Sequence, residues 1–242
     1  KKIPKPLIKV NNKPFLENLF AKLLKYNFKR IYLLCSYKKS KFYKRYHNKQ
    51  IHNTKIICID EGKQKGTGGA LFKLKRKINK NFILLNGDTF FNINYEIIKK
   101  INITNKTVFV ALTNINKSIN NKILNNLALN TKNIVYFSKS KTYMMNGGVY
   151  LINKKIFKLV KNKTMSLEND ILNKEIEKKK VIGKYFNDDF IDIGSKKKLS
   201  SIKKNNIFLK NKAFFLDRDG VINKDNGYIK NYKDFIFLKG VH

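Results

Sequence analysis

A short apolar run that ends in an acidic turn constrains this sequence more than any other feature. Phe82–Leu85 is a run of apolar residues rich in β-formers, and Asn86-Gly87-Asp88 follows it directly. Such a run predicts a strand that is buried on both faces. Ligands of open α/β sheets bind just beyond the carboxyl ends of the strands, where a carboxylate suits Mg²⁺. Asp88 is therefore a candidate metal ligand, although Asp is also common in turns that have no function.

Similar apolar runs alternate with helical patterns through the first 200 or so residues. We predict strands at 30–36, 54–60, 82–85, 107–112, 134–137, 147–152, 181–186 and 190–193, and helices at 13–27, 40–46, 95–101 and 166–178, with a further helical pattern from residue 71. The proline-containing segment 3–8 is predicted to be non-helical, and the Asn-rich stretch 116–133 to be a loop. Strands that alternate with helices predict an α/β fold, with a mostly parallel sheet and helices on both faces.

The formal net charge of +37 might suggest a nucleic-acid-binding protein, but the kind and spread of the charges argue against it. Lys and Arg total 53 residues, and only Arg30, Arg45, Arg76 and Arg218 are arginines. A dedicated nucleic-acid surface would cluster its charge and favour Arg. We therefore expect no specific nucleic-acid partner, only weak and salt-sensitive binding of polyanions.

Cysteine usage and hydropathy bear on the compartment. Cys35 and Cys58 each lie within a predicted buried strand, as expected of core thiols in a reducing compartment. No apolar run approaches the length of a membrane span, and no secretory signal is present. The sequence therefore predicts a cytoplasmic protein without membrane association.

A glycine-rich segment, Gly66-Thr67-Gly68-Gly69, precedes the helical pattern that starts at residue 71. Glycines permit close approach of a ligand to the backbone, and a helix N-terminus favours phosphate or other acceptor-rich groups. We predict a ligand-binding turn here.

Taken together and in this order, the motifs resemble those of the sugar-1-phosphate nucleotidyltransferases, and most of all the heptose- and mannose-1-phosphate guanylyltransferases. The resemblance covers about the first 200 residues. It rests on Pro4-Lys5-Pro6, Gly66-Thr67-Gly68-Gly69-Ala70, Asn86-Gly87-Asp88, Asn146-Gly147-Gly148-Val149-Tyr150, Ser166-Leu167-Glu168 and Asp192-Ile193-Gly194-Ser195.

The resemblance implies a Rossmann-like fold, a nucleoside triphosphate and a sugar phosphate as substrates, and Mg²⁺ as cofactor. It implies that Lys5 neutralises phosphate charge and that Asp88 and Asp192 hold the metal. It also implies roles for two further groups of residues: Gly66, Thr67, Gly68 and Gly69 beside the nucleobase, and Asn146, Gly147 and Glu168 at the sugar.

The sequence departs from the family pattern at its start. The family's Gly-rich loop, which carries an Arg on the first and central strand, normally lies just upstream of the segment that corresponds to Pro4-Lys5-Pro6. It is absent from these residues. We therefore expect residues 1–242 alone to be inactive in pyrophosphate release, with a neighbouring strand edge left unpaired or covered by residues 1–10.

The C-terminal residues resemble a second family, the haloacid-dehalogenase-type phosphatases, in the branch that acts on heptose bisphosphate or histidinol phosphate. The matching segment is Asp217-Arg218-Asp219-Gly220-Val221-Ile222-Asn223, which follows a predicted strand at 213–216. The resemblance implies that Asp217 is the nucleophile, that Asp219 is the general acid and base, and that both contact the metal. The predicted domains are 1–204, a linker at 205–212, and the start of a phosphatase domain at 213–242.

The sequence thus predicts a bifunctional enzyme of nucleotide-activated heptose synthesis, with a nucleotidyltransferase followed by a sugar-bisphosphate phosphatase. Two alternatives remain open. One is a non-catalytic regulatory domain that binds a nucleotide sugar, and the other is a cationic nucleic-acid-binding module.

Overall fold

The computed structural model describes residues 3–10, 12–63, 65–114, 127–139, 144–194, 221–224, 227, 231, 233 and 235–240. The chain divides into two compact units, Lys1–Asn205 and Asn206–His242. Within the described residues, no helix is both long enough and apolar enough to cross a membrane.

The first unit contains short strands and short helices in alternation. The strands are β1 (Lys9–Val10), β2 (Lys13–Pro14), β3 (Arg30–Cys35), β4 (Gln50–Ile51), β5 (Thr54–Asp60), β6 (Phe82–Leu85), β7 (Thr89–Phe91), β8 (Val108–Asn114), β9 (Leu127–Leu129), β10 (Val135–Phe137), β11 (Met144–Ile152), β12 (Val181–Tyr185) and β13 (Phe190–Asp192). The α-helices are α1 (Phe15–Leu23), α2 (Lys39–Tyr46), α3 (Gly66–Leu71), α4 (Tyr95–Lys99) and α5 (Asn173–Glu177). A π-helix, Leu167–Leu172, leads into α5, and 3-10 helices form at Lys5–Leu7, Leu24–Tyr26, Phe72–Leu74 and Lys154–Lys158.

The predicted α/β fold is confirmed, but the sheet is mixed and not mostly parallel. The largest sheet has the strand order β10-β9-β11-β8-β12, and β6 also pairs with β11. Strand β11 lies between β6 and β8 and runs antiparallel to both of them, and also to β9. Only β12 with β8 and β3 with β5 are parallel among the described ladders.

Helices cover both faces of the main sheet, as predicted, because its central strands are apolar on both sides. Along β8, Val108, Val110 and Leu112 join one core layer, which also contains residues of α3 and α5. Phe109 and Ala111 join the opposite layer, with residues of α1 and α4. The alternation of side chains along a strand assigns successive residues to opposite layers.

Helix α1 shows how the sequence determines one of these packed elements. Its apolar residues recur at helical spacing, and Phe15, Leu16, Leu19, Phe20 and Leu23 are all buried. The chain leaves the helix through the 3-10 turn Leu24–Tyr26 and ends it at Asn27, whose φ of 51° is left-handed. Asn tolerates this conformation better than most residues.

Three local predictions are wrong, each for an identifiable reason. Segment 3–8 contains the 3-10 turn Lys5–Leu7, since Pro at an early helical position lacks only an N–H that would be unpaired anyway. The predicted loop 116–133 contains the strand β9, whose Leu127 is buried in the main sheet. The glycine-rich segment is the helix α3 itself and not a turn before it.

In the second unit, the described residues form a small antiparallel contact. Asn223 and Phe237 form an isolated bridge, with Lys224 N–H donating to the Ile236 carbonyl at 2.8 Å and Leu238 N–H to the Ile222 carbonyl at 3.0 Å. The predicted linker 205–212, the predicted strand 213–216, Asp217 and Asp219 lie outside the described residues.

Candidate functional site

Lys5 and Asp88 form an ion pair at the carboxyl end of β6. The Lys5 Nζ atom lies 3.2 Å from the Asp88 Oδ2 atom, and the two side chains are 37% and 31% exposed. Residues 4–8 reach this point as a tight turn, in which the Leu7 and Ile8 N–H groups donate to the Pro4 and Lys5 carbonyls. A partly exposed ion pair contributes little to stability. The effect of the Lys5–Asp88 pair is local, because it holds the Lys5 ammonium group beside the Asp88 carboxylate.

The β7–β13 ladder, a separate two-stranded sheet, places Asp192 close to the backbone of Asp88. The two strands are antiparallel, and Asp192 lies opposite Thr89, the residue after Asp88. The Ile193 N–H donates to the Asp88 carbonyl at 3.0 Å, and the Gly194 N–H donates to Asp192 Oδ1 at 2.6 Å. The fold therefore brings together Lys5, Asp88 and Asp192, which are far apart in the sequence.

The chemistry of these donors fits Mg²⁺ held jointly with a phosphate-bearing ligand. Mg²⁺ prefers oxygen ligands and commonly takes one or two carboxylates, with water and phosphate oxygens completing its octahedron. Among the described residues, no cluster of three or more acidic, His or Cys side chains could enclose a metal. Asp88 and Asp192 therefore suit an ion that arrives with phosphate better than an ion enclosed entirely by protein.

The Asn146-Gly147-Gly148 motif lies beside the Asn86-Gly87-Asp88 motif because β11 pairs with β6. The Asn86 N–H donates to the Gly148 carbonyl at 2.9 Å. Gly148 has a φ of +68°, which favours glycine, and a Cβ on Gly147 would lie 2.5 Å from the Phe91 ring. The two glycines are thus required by backbone conformation and close packing.

Two backbone amides of the glycine-rich helix α3 donate hydrogen bonds within the protein. The Gly68 and Gly69 N–H groups both donate to the Met165 carbonyl, at 3.0 and 3.3 Å. Both glycines are buried, whereas Gly66 and Thr67 are exposed. Within this segment, Gly66 and Thr67 therefore present the accessible surface for a ligand.

Thr67 connects this surface to Glu168. The Thr67 hydroxyl donates to Glu168 Oε2 at 2.9 Å and accepts from the Leu167 N–H at 2.8 Å. Ser166 caps the π-helix by accepting from the Asn169 N–H, and its hydroxyl donates to the same Glu168 oxygen at 3.1 Å. Glu168 is thereby fixed in a half-buried position.

Tyr150, to which the sequence-based prediction gave no role, contacts the candidate site residue Asn146. The Asn146 Nδ2 group donates to the Tyr150 hydroxyl at 2.7 Å, while Asn146 Oδ1 accepts from the Gly148 N–H at 2.9 Å. Burial is the main cause of a raised pKa at Tyr150, and the nearby charge of Glu168 is the second. The Tyr150 hydroxyl is therefore protonated at neutral pH. The available signal was a tyrosine, with its polar hydroxyl, inside the apolar run 149–152 of β11.

A mixed α/β sheet thus carries Lys5 and Asp88 at the carboxyl end of β6, next to the two-stranded β7–β13 sheet that contains Asp192. The family model described as Nucleotidyl transferase matches residues 1–207. The chain belongs to this nucleotidyl transferase family.

Curated relatives give the same assignment. The D-glycero-alpha-D-manno-heptose 1-phosphate guanylyltransferase of Campylobacter jejuni is 32% identical over 199 residues, which cover 80% of this chain and 86% of that protein. The bifunctional protein GlmU of Methanococcus vannielii is 30% identical over 219 residues, which cover 86% of this chain but only 50% of that protein.

A solved structure shares the fold. The crystal structure of HddC from Yersinia pseudotuberculosis complexed with GMP-PN superposes with a TM-score of 0.67 at 24% identity. The match covers 84% of this chain and 90% of that chain.

Proposed function

We propose that the chain transfers a guanylyl group from GTP to a heptose 1-phosphate and releases pyrophosphate. The observation that carries this proposal is the 32% identity, over 80% of the chain, to a heptose 1-phosphate guanylyltransferase. The grouping of Lys5, Asp88 and Asp192 beside the carboxyl end of β6 also supports it.

The reaction joins two anions, so its barrier is largely electrostatic. A sugar-phosphate oxygen attacks the α-phosphorus of the nucleotide, and the bond from that phosphorus to the β-phosphate oxygen breaks. Asp88 and Asp192 are the residues that would hold Mg²⁺, which supplies positive charge to phosphate oxygens when bound. Lys5, beside Asp88, would donate to a phosphate oxygen and offset charge in the transition state.

The remaining site residues would orient the sugar and the nucleotide. Glu168 accepts from Thr67 and Ser166, so its position is fixed before substrate binds, and a fixed acceptor suits a sugar hydroxyl. Asn146 is held by Tyr150 in the same way. Of the four residues proposed to lie beside the nucleobase, Gly66 and Thr67 are the exposed ones, whereas Gly68 and Gly69 would support them from the interior.

A substrate panel tests the proposed activity. Pyrophosphate release is measured in the full native polypeptide, with GTP, ATP, CTP and UTP each paired with heptose 1-phosphate, mannose 1-phosphate and glucose 1-phosphate. We expect the largest kcat/KM for GTP with heptose 1-phosphate. Saturable binding of GTP and sugar phosphate without pyrophosphate release would favour the non-catalytic regulatory domain instead.

We also propose that residues 213–242 begin a phosphatase domain that removes phosphate from a heptose bisphosphate. The support is the sequence Asp217-Arg218-Asp219-Gly220, together with a family match that ends at residue 207 and a second compact unit that begins at Asn206. A carboxylate oxygen of Asp217 would attack phosphorus while Asp219 protonates the departing sugar oxygen. Water, deprotonated by Asp219, would then release phosphate and regenerate Asp217.

The two activities can be separated by one substitution. In the full native polypeptide, Asp217→Asn should abolish phosphate release from heptose bisphosphate and leave nucleotidyl transfer unchanged, because the residues proposed for each reaction lie in different units. Loss of both activities in a folded variant would contradict the proposal of two independent sites.

A further inference from the structure

A basic groove lies between the N-terminal segment and helix α2 in the first unit. Its volume is about 690 Å³, and its lining residues come from two stretches of the chain, 3–20 and 41–51. None of them is among the residues proposed for nucleotidyl transfer. The proposed reaction therefore leaves this groove without an assigned role.

The floor of the groove joins α1 to α2. The Phe20 ring of α1 and the Tyr46 ring of α2 meet edge to face, with their centroids 5.4 Å apart, and each residue is only 3% exposed. Glu17 is the one acidic residue in the described lining. Its Oε1 atom lies 2.8 Å from Arg45 Nη2 and accepts from the Tyr46 hydroxyl at 3.1 Å. The negative charge of Glu17 is therefore already offset by Arg45.

The walls of the groove carry positive charges that have no acidic partner among the described residues. Four exposed lysines, here called the groove lysines, line it: Lys9, Lys41, Lys44 and Lys49. Within the described part of the chain, no Asp or Glu forms an ion pair with any of them. Lys39, at the start of α2, shows the contrast, because it pairs with Asp60 and does not line the groove. The groove lysines repel one another, and an anionic occupant would relieve this repulsion.

Apolar side chains are accessible beside these lysines. Ile3 is 48% exposed, and Leu7 and Ile51 are half-buried at the groove. A small anion such as inorganic phosphate would contact the groove lysines and leave these apolar side chains in water. An occupant with both carboxylates and apolar side chains would contact both, and would gain from burying the apolar surface. A segment of an acidic protein has this chemistry.

Two other occupants fit the lining less well. A single-stranded nucleic acid would contact the lysines through its phosphates, but it also stacks its bases on aromatic side chains. Phe20 and Tyr46, the aromatic residues of the lining, are almost fully buried and offer little surface for stacking. A second copy of the chain would bring only 16 acidic residues together with 53 basic ones. Net repulsion between two such chains disfavours their association.

We propose that the groove is a docking surface for a second protein, which contributes a segment rich in Asp and Glu that also contains Leu, Ile or Val. Its carboxylates pair with the groove lysines, and its apolar side chains cover Leu7 and Ile51. Single ion pairs at an exposed surface contribute little, so the affinity comes from several pairs acting together with the apolar contact. The groove lysines also accelerate association with an acidic partner.

Peptide binding to the full native polypeptide tests this inference without any measurement of activity, so its outcome is independent of the proposed function. The probe is a fluorescein-labelled peptide of about ten residues that combines Glu with Leu, and two control peptides replace either the Glu by Gln or the Leu by Ser. Binding is measured by fluorescence anisotropy at about 150 mM salt, where long-range attraction to the net charge is screened.

Two variants of the protein separate the groove from the net charge. The groove variant carries Lys41→Gln, Lys44→Gln and Lys49→Gln. The matched control carries Lys77→Gln, Lys80→Gln and Lys158→Gln, which change exposed lysines outside the groove. Both variants lose the same charge, so a difference between them reports the position of the lysines. Unfolding transitions verify that both variants are folded.

We expect the Glu-Leu peptide to bind the unsubstituted chain saturably. The groove variant should weaken this binding by about tenfold or more, because several ion pairs are lost together, and the control variant by about threefold or less. Both control peptides should bind more weakly than the probe, since one lacks the carboxylates and the other lacks the apolar side chains.

No saturable binding up to about 1 mM peptide, or equal losses in the two variants, would overturn the proposal. Equal binding of the peptide with Ser in place of Leu would also overturn it, because the groove would then recognise charge alone. A single-stranded oligonucleotide that binds as tightly as the probe, and loses as much affinity in the groove variant, would identify nucleic acid as the occupant instead. Self-association of the chain that the groove variant abolishes would identify a second copy.

Discussion

Glu61 follows β5 and carries a carboxyl group whose ionisation is penalised by the fold. Burial, and next the charge of Asp60, raise the pKa of Glu61 above its ordinary value of 4.5. With its pKa raised, the neutral carboxyl of Glu61 stabilises the folded protein below pH 4.5. This stabilisation is lost as the pH rises through the pKa of Glu61 in the folded state. Glu61 therefore destabilises the protein at neutral pH.

We expect Glu61→Gln to raise the free energy of unfolding at pH 7.5 by about 1 kcal/mol or less, since the group is only half-buried. The gain should vanish as the pH falls towards 4.5, as measured by thermal or urea unfolding across pH. Glu96→Gln is the matched control, because it removes the same charge from an exposed ion pair with Lys99 on α4. An equal gain from both substitutions would show that burial of Glu61 is not the cause.

At the scale of elements, α3 shows a conflict between helix propensity and packing. Replacing Gly by Ala inside a helix ordinarily stabilises it by about 1 kcal/mol. A Cβ on Gly69, however, would lie 2.4 Å from the backbone carbonyl oxygen of Lys163. Packing therefore predicts the opposite sign from propensity.

We expect Gly69→Ala to lower the free energy of unfolding by about 1–3 kcal/mol, measured by urea denaturation. Gly87→Ala is the control for the same chemical change, because its Cβ would meet only the Pro6 Cγ atom at 3.4 Å. That variant should stay within about 0.5 kcal/mol of the unsubstituted chain. A stabilised Gly69→Ala variant would mean that α3 and the segment around Lys163 are not in close contact.

Periodicity predicted individual elements well where apolar residues were continuous. The strand at 54–60 is correct to the residue, and Cys35 and Cys58 are buried as expected. Strand β9 was missed because a three-residue Leu-Ala-Leu run within an Asn-rich stretch carries too little signal. Strand β7 was also missed, because Thr89–Phe91 shows no alternation and forms a strand only by pairing with β13.

The candidate site residues can be named from the sequence, but their arrangement in space cannot. Local sequence motifs are sufficient to single out Lys5, Asp88 and Glu168. The direction of β11 and the register of β7 with β13 depend on pairing between distant residues, which no local pattern encodes. The hydrogen bonds from the Gly68 and Gly69 amides could not be predicted for the same reason, because their acceptor, the Met165 carbonyl, is almost a hundred residues away.

At the scale of the whole molecule, the net charge of +37 predicts a non-specific affinity for polyanions. The chain should bind duplex DNA at low salt and lose tenfold or more of that affinity between about 50 and 200 mM salt. Two unrelated duplexes of equal length should bind equally, as measured by fluorescence anisotropy. A clear preference for one duplex that persists at about 200 mM salt would support the nucleic-acid-binding alternative.

The central claim is that Asp88 and Asp192 act together in nucleotidyl transfer, and a double-mutant cycle tests it most directly. Pyrophosphate release from GTP and heptose 1-phosphate is measured in the full native polypeptide for Asp88→Asn, Asp192→Asn and the double variant. Unfolding transitions verify that each variant is folded. Residues that act as one unit show strongly non-additive losses.

We predict that each single substitution lowers kcat by about 100-fold or more, and that the double variant is little worse than either single variant. Unchanged turnover in Asp88→Asn, or losses that simply multiply in the double variant, would contradict a shared role for the two carboxylates.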